Sequence, residues 1–455
     1  MKVIFYKKKK ELKFNCISDL VISNISSIFN IEMSRLIINS QSILDRFFIT
    51  ISDDVLYISD NLSYISKRVN CIVDEKSISF YKKYGYIHPP FTQYENIYML
   101  TPHRRFFITE NNISFEDIYP DFERTDDYFL DGVINKYFLD IDDKKDILVS
   151  GGIDSSALLG IINSKGGIHR AHMCQMSSMM DEVNKAKSMC DSISVDFNLI
   201  NLDVNLSESA KEFICYSGEL ISDPISIVML EMFKNISHVN NQETVNLIDG
   251  QGADSLLNGL PLNKVFSYWS KLSTFRVLLS PLSKIGIYNK KNSSFGRKIY
   301  RLSKGLKCLA QPSFGKSILI ALAESDNASS SGSEYLESRI QSLFEYYKDW
   351  HFVLRFLYLF DILPAREMQK YLFASKYNIE IIAPFLNTNI INDTIGLDNK
   401  FTIKDGVFKF PITAMAKKYW PDYFKTSATS PFQVNYSLGN DDIKTLSIST
   451  LFNNN

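Results

Sequence analysis

Asp146-Ile147-Leu148-Val149-Ser150-Gly151-Gly152-Ile153-Asp154-Ser155-Ser156-Ala157-Leu158-Leu159-Gly160-Ile161-Ile162 sets two glycines between a short apolar run and a longer one. The spacing predicts a buried strand at 147–149, a tight turn, and a helix from residue 155. Outward from it, strand and helix alternate: strands at 168–173, 197–202 and 245–248, and a helix at 181–190. Such alternation implies an α/β domain with a doubly wound parallel sheet covered on both faces. Beyond residue 260 the pattern is mainly helical. In open α/β sheets ligands sit outside the carboxyl ends of the strands, where this turn lies.

The turn's composition fits an anion. Gly151 and Gly152 let the backbone come close, and Ser150, Ser155, Ser156 and the first free amides of the helix can donate to phosphate oxygens. Asp154 cannot donate to phosphate, but a carboxylate there fits a Mg²⁺ held between it and a pyrophosphate group. A glycine turn with a capping serine is the bland alternative. The G-x-x-x-x-G-K-[ST] spacing is absent, so γ-phosphoryl transfer is not the expected chemistry.

The rest of the chain sets limits. At 455 residues it exceeds one ordinary core, and residues 1–120 read as an antiparallel β-rich domain, with strands near 2–6, 46–52, 55–58 and 105–109, ahead of a second domain at 121–455. Apolar positions Phe129, Val133 and Phe138 suit a connecting helix across 126–140. Residues 324–334 are small and polar enough to read as a mobile loop, and Asn453 to Asn455 as a frayed tail. A net charge of −1 gives no global reason to expect nucleic acid or an anionic membrane as partner. Cys16, Cys71, Cys174, Cys190, Cys215 and Cys308 lack any C-x-x-C spacing, which suits reduced thiols and a cytoplasmic location. No stretch approaches the roughly 18 apolar residues of a membrane span, and the amino terminus is not a signal peptide.

The S-G-G-x-D-S-S string resembles the phosphate loop of the ATP pyrophosphatases, which cleave between the α and β phosphates and leave AMP on a carboxylate or carbonyl oxygen. Four further segments resemble the asparagine-synthetase branch, in its order: Asp181-Glu182-x-x-x-Ala186, Ser222-Asp223-Pro224-Ile225-Ser226, Asp249-Gly250-Gln251-Gly252-Ala253-Asp254, and Glu380-Ile381-Ile382-Ala383-Pro384-Phe385-Leu386-Asn387. The resemblance implies ATP and Mg²⁺ as cofactors, Asp154 and Asp254 as metal ligands, and Gly250 and Gly252 beside the phosphates. For Glu182 and Asp223, helix capping is an equal explanation.

Residues 80–102 with 105–108 resemble the closing section of the glutaminase (Ntn-type) domain that precedes the synthetase in this family. Glutamine hydrolysis there needs a cysteine exposed at the amino terminus, and the residue after Met1 is Lys2. The resemblance therefore implies a degenerate glutaminase-like domain. Gln251, Ser255 and Ile382 replace the family's glutamate, glutamate and arginine, which suggests a pocket not built for aspartate and ammonia.

The branches that similarly lack the cysteine, the β-lactam synthetases and the lasso-peptide macrolactam cyclases, use an amine carried by the substrate. The stretch from Ser375 to Lys425 is most similar to a lasso cyclase. The implied reaction is adenylation followed by macrolactam formation on a precursor peptide in peptide-antibiotic biosynthesis, with a leader peptidase as a possible partner. Ligation of a small metabolite is the runner-up. In the β-lactam branch a tyrosine–glutamate pair takes the amine's proton and a lysine steadies the transition state. Glu380 matches the glutamate; the tyrosine stays open among Tyr346, Tyr347 and Tyr377; Lys425 is the candidate cation, a solvated lysine the alternative. Rivals of another class are a tRNA-modifying enzyme and an inactive binding module.

Overall fold

A computed structural model describes residues 2–8, 10–14, 29–32, 37–109, 112–122, 130–139, 145–165, 167–175, 180–202, 206–269, 271, 275, 278, 281, 294–325, 332–424 and 440–452. Near the amino terminus two sheets form. One runs in the order β2 (Lys10–Phe14), β1 (Lys2–Lys7), β6 (Val55–Ser59), β5 (Phe47–Ser52), β7 (Tyr98–Leu100). The other runs β3 (Phe29–Glu32), β4 (Ile37–Ser40), β8 (Arg104–Ile108), β9 (Ile113–Asp117). The predicted strands are present, but β1 and β6 pair in parallel, so the first sheet is mixed rather than purely antiparallel. Alternate residues of both sheets, among them Val3, Phe5, Ile38, Phe47, Ile58 and Phe106, share one apolar core.

The second sheet system is the one the glycine turn implies. Five parallel strands stand in the order β12 (Asp196–Asn201), β11 (Ile168–Gln175), β10 (Lys145–Leu148), β13 (Val245–Ile248), β14 (Ile379–Ile382). Successive residues feed opposite faces: Ile147 and Ile248 pack with the helices Ile153–Asn163 and Met180–Ser192, whereas Val245 and Leu247 pack with Leu206–Ser217 and Ile225–Val239. Strand order reverses direction between β10 and β13. The connections that leave their carboxyl ends therefore run in opposite directions and leave a crevice between them.

The helical segments close around this sheet. The helix Trp350–Leu357 continues through a π-helical turn, Tyr358–Ile362, into Leu363–Arg366. Pro364 has no N–H to give to the preceding turn, and a widened register just before it is the local consequence. Residues 324 and 325 are held rather than loose: both backbone amides donate to Lys83 O, and the Glu324 carboxylate pairs with Arg366 and Lys444 at 3.0 Å each. At the other end of that expected loop Ser333 is buried and Glu334 opens the helix Glu334–Tyr347; residues 326–331 between, and Asn453 to Asn455, lie outside the described residues, as do residues 126–129 and 140 at the ends of the expected connecting helix, which is found at Leu130–Leu139.

Buried charge joins the amino-terminal sheets to the rest. Arg46 reaches Glu219 with both terminal nitrogens, at 3.0 and 2.5 Å, and donates Nε to Pro364 O at 2.8 Å. Arg104, fully buried, donates to Asp361 at 2.5 Å and pairs with Asp117, while Arg339 lies 3.4 and 3.5 Å from the same two carboxylates. Two cations and two anions offset each other out of water, so losing one member strands the others. Asp361→Asn is expected to lower unfolding stability by about 3–5 kcal/mol in urea titration; a midpoint equal to the parent's would show that the quartet does not stabilise the fold.

Candidate active site

The crevice between β10 and β13 opens into a cleft of about 580 Å³. Its wall from β10 is the glycine turn. Gly151 takes φ +68°, and a Cβ there would lie 2.8 Å from Glu182 O, so a side chain would meet both strain and backbone. Gly152 caps the helix Ile153–Asn163 with no side-chain bond, which leaves its first amides without a side-chain cap beside the cleft residues Asp154 and Ser155. Ser155 Oγ receives the amide of Ser150 at 3.1 Å and lies 3.1 Å from Ser150 Oγ, drawing the turn tight. Ser150, Asp154 and Ser155 line the cleft. Ser156 does not: it is buried at 1% exposure, and its carbonyl accepts Trp420 Nε1 at 2.7 Å.

The opposite wall comes from the turn after β13. Gly250, Gly252 and Asp254 line it, with Gly252 at φ +99° and Leu386 where a Cβ would be. The two walls meet in one contact that the sequence did not foretell. Lys409 Nζ lies 2.9 and 2.8 Å from the two oxygens of Asp154 and 2.7 Å from Asp254 Oδ1. It stands at the start of the helix Phe410–Tyr419, in the left-handed region at φ +55°. Burial raises the Asp154 carboxyl to about 6 and Asp254's charge adds to this, with Lys409 opposing. Burial also opposes the Lys409 charge, but the two aspartates outweigh it and hold the ammonium above the ordinary lysine range. Two carboxylates facing one positive nitrogen is a donor set that fits a hard dication shared with phosphate oxygens.

Deeper in the cleft lies a polar network delivered by the segment after Pro364. Lys370 Nζ donates to Asp249 Oδ2 at 2.9 Å and to Gln251 Oε1 at 2.6 Å, and the Tyr371 hydroxyl donates to the same Asp249 oxygen at 2.5 Å. Gln251 Nε2 donates to Glu367. Burial, reinforced by Asp223, raises the Glu367 carboxyl. Asp223 is raised by burial too; it lines the cleft and also accepts the amide of Ile225 at 3.0 Å at the start of the helix Ile225–Val239. Arg366, the guanidinium of the described lining, is held by Glu324. An apolar end is formed by Leu148, Cys174, Ile225, Met229 and Met232, a surface suited to a flat base.

Other expected site residues fall elsewhere. Glu380 sits early in β14, opposite Asn246; its carboxylate is 60% exposed and faces Lys8 at 3.8 Å in a separate cavity beside β1. Tyr377 does not line the cleft and packs beside the helices on the far face of the sheet. Tyr346 donates to Asp121, and Tyr347 to Pro120 O, well outside the cleft lining. Glu380 lies in the edge strand β14, separated from the crevice by β13 and short of the strand's carboxyl end, which is why it misses the cleft. Lys425 lies outside the described residues. The Met229 and Met232 wall was readable as helical spacing from Ile225. Lys370, Tyr371 and Lys409 carry no motif. The described cysteines, Cys71, Cys174, Cys190, Cys215 and Cys308, are free, and no described helix is long and apolar enough to cross a membrane.

A family model, described as asparagine synthase, matches residues 142–447. The chain belongs to the asparagine synthase family. That span holds both walls of the cleft and the Lys409 helix. No curated protein matches the chain. Family membership makes this an ATP-using ligase that forms amide bonds through adenylation in the general sense. Its raised carboxyl gives the site a pH signature. Asp154 gains its proton as pH falls through about 6, losing the charge a cation needs. Magnesium-dependent ATP affinity is therefore expected to fall across that range, and in Lys409→Met, where the opposing charge is gone, to begin falling at higher pH; calorimetric titration from pH 5 to 8 reads both, and a flat profile would count against the assignment.

Proposed function

We propose that the chain adenylates a carboxylate with ATP, releasing pyrophosphate, and passes the acyl group to an amine with loss of AMP. The reading rests on the meeting of Asp154 and Asp254 around one cationic nitrogen at the sheet's switch point. Asp154 and Asp254 would hold Mg²⁺, which when bound neutralises phosphate oxygens. The open amides after Gly152, with Ser150 and Ser155, orient the phosphates, and the methionine wall receives the base. Lys409 keeps positive charge where negative charge builds on the phosphates.

The amine must lose a proton as it attacks. Glu367 is the best-placed acceptor, since burial has raised its carboxyl and it borders the same cleft. Asp249, tied by both Lys370 and Tyr371, is better suited to holding those groups in position. The cleft's described cations are all engaged: Arg366 by Glu324, Lys370 by Asp249 and Gln251, and Lys409 by Asp154 and Asp254. A free amino-acid substrate would lack an open partner for its α-carboxylate. This favours a substrate that brings its own amine, and we read the reaction as macrolactam formation on a precursor peptide, with a leader peptidase upstream. The amino-terminal sheets are read as a glutaminase-like scaffold.

Two variants separate the half-reactions. Asp154→Asn is expected to cut pyrophosphate release from Mg·ATP and a candidate precursor peptide by ~100-fold or more. Glu367→Gln is expected to keep pyrophosphate release within about threefold while slowing cyclised product by ~100-fold, as loss of a general base does. Unchanged release in the first, or unchanged product in the second, would refute the respective role.

A further inference from the structure

On a different side of the helical region, a pocket of about 360 Å³ shares no lining residue with the cleft. Arg355 lies in its wall at 1% exposure. Its Nη2 donates to Leu397 O at 3.0 Å, but Nε and Nη1 have no hydrogen-bond partner among the described residues. Burial without a carboxylate in contact lowers this guanidinium to about 10, although Asp349 and Asp398 pull the other way from a distance. An unpartnered buried guanidinium is costly, and the cost is removed when an oxyanion enters.

Three carboxylates share the pocket with it. Asp349 Oδ1 caps the helix Trp350–Leu357 through the amides of His351 and Phe352, Asp398 Oδ1 takes the amide of Lys400, and Asp121 Oδ1 accepts the Tyr346 hydroxyl. Each uses one oxygen in these bonds. Among the described lining residues one cation stands against three anions, which would repel a simple anion, and a simple cation would leave Arg355 as it is. A ligand carrying both charges satisfies both sides. The surplus negative charge further favours a second positive group.

We propose that this pocket binds a free α-amino acid with a basic side chain, its carboxylate on Arg355 and its ammonium groups among Asp121, Asp349 and Asp398. The volume suits one such molecule. The loop that carries Asp398 also carries Asn399, whose side chain accepts Asn258 Nδ2 at 3.1 Å, four residues beyond Asp254. An occupant therefore sits within one hydrogen bond of the segment that presents a metal acid. The proposal does not depend on the chemistry assigned to the cleft.

Calorimetric titration of the full chain with lysine, arginine, glycine, glutamate, acetate and methylamine tests it. Lysine or arginine should bind at least ~10-fold tighter than glycine or glutamate, with acetate and methylamine weaker still. Arg355→Met should abolish the binding. Because that buried change can harm folding, Asp349→Asn with Asp398→Asn serves as a second variant: asparagine keeps both caps, and binding should weaken ~10-fold or more. Asp154→Asn should leave it unaltered, which separates this site from the cleft. No binding by any amino acid, binding of acetate as tight as lysine, or binding unchanged in the double variant would overturn the proposal.

Discussion

Asp154 and Asp254 come from turns more than ninety residues apart, yet both touch one lysine nitrogen. That convergence requires β10 and β13 to be neighbours whose connections leave in opposite directions, so that a crevice opens beyond their paired carboxyl ends. Everything else in the cleft is arranged around this point. The amides after Gly152 and the turn of Gly250 to Gly252 form its walls, and Lys409 neutralises a pair of acids that would otherwise repel at close range in a partly buried setting.

The same helical region that supplies the polar floor also carries the junction with the amino-terminal sheets. Pro364 shows the economy of this arrangement. Its carbonyl receives Arg46, and the segment it redirects delivers Arg366, Glu367 and Lys370 to the cleft and Tyr371 to Asp249 in its wall. Asp361, one turn earlier, is the buried partner of Arg104. The inter-unit ion pairs and the cleft floor thus share one short stretch of chain.

Much of this was legible beforehand because it depends on local pattern. The apolar run at 147–149, the paired glycines and the helical spacing after them specify strand, turn and helix without help from distant residues. The acids Asp154 and Asp254 could be assigned to one crevice because sheet topology, not side-chain detail, brings them together. What could not be read is what tertiary packing alone decides. Lys409 lies in a stretch with no motif, between a short hairpin and a helix, and only the fold brings it to the acids. Glu380 shows the reverse: a good motif match whose position in the strand turns its carboxylate toward Lys8 instead of the crevice. The β1–β6 parallel pair was missed because alternation sets which face a residue occupies but not the direction of its neighbour.

The account stands on divalent-cation binding by the two acids together with nucleotide. Manganese(II) titration followed by electron paramagnetic resonance, in the presence of a non-hydrolysable ATP analogue, reads it directly. One tight nucleotide-dependent manganese site is expected in the parent chain and its loss in the variant carrying both Asp154→Asn and Asp254→Asn; an equally tight site in that variant would contradict the account.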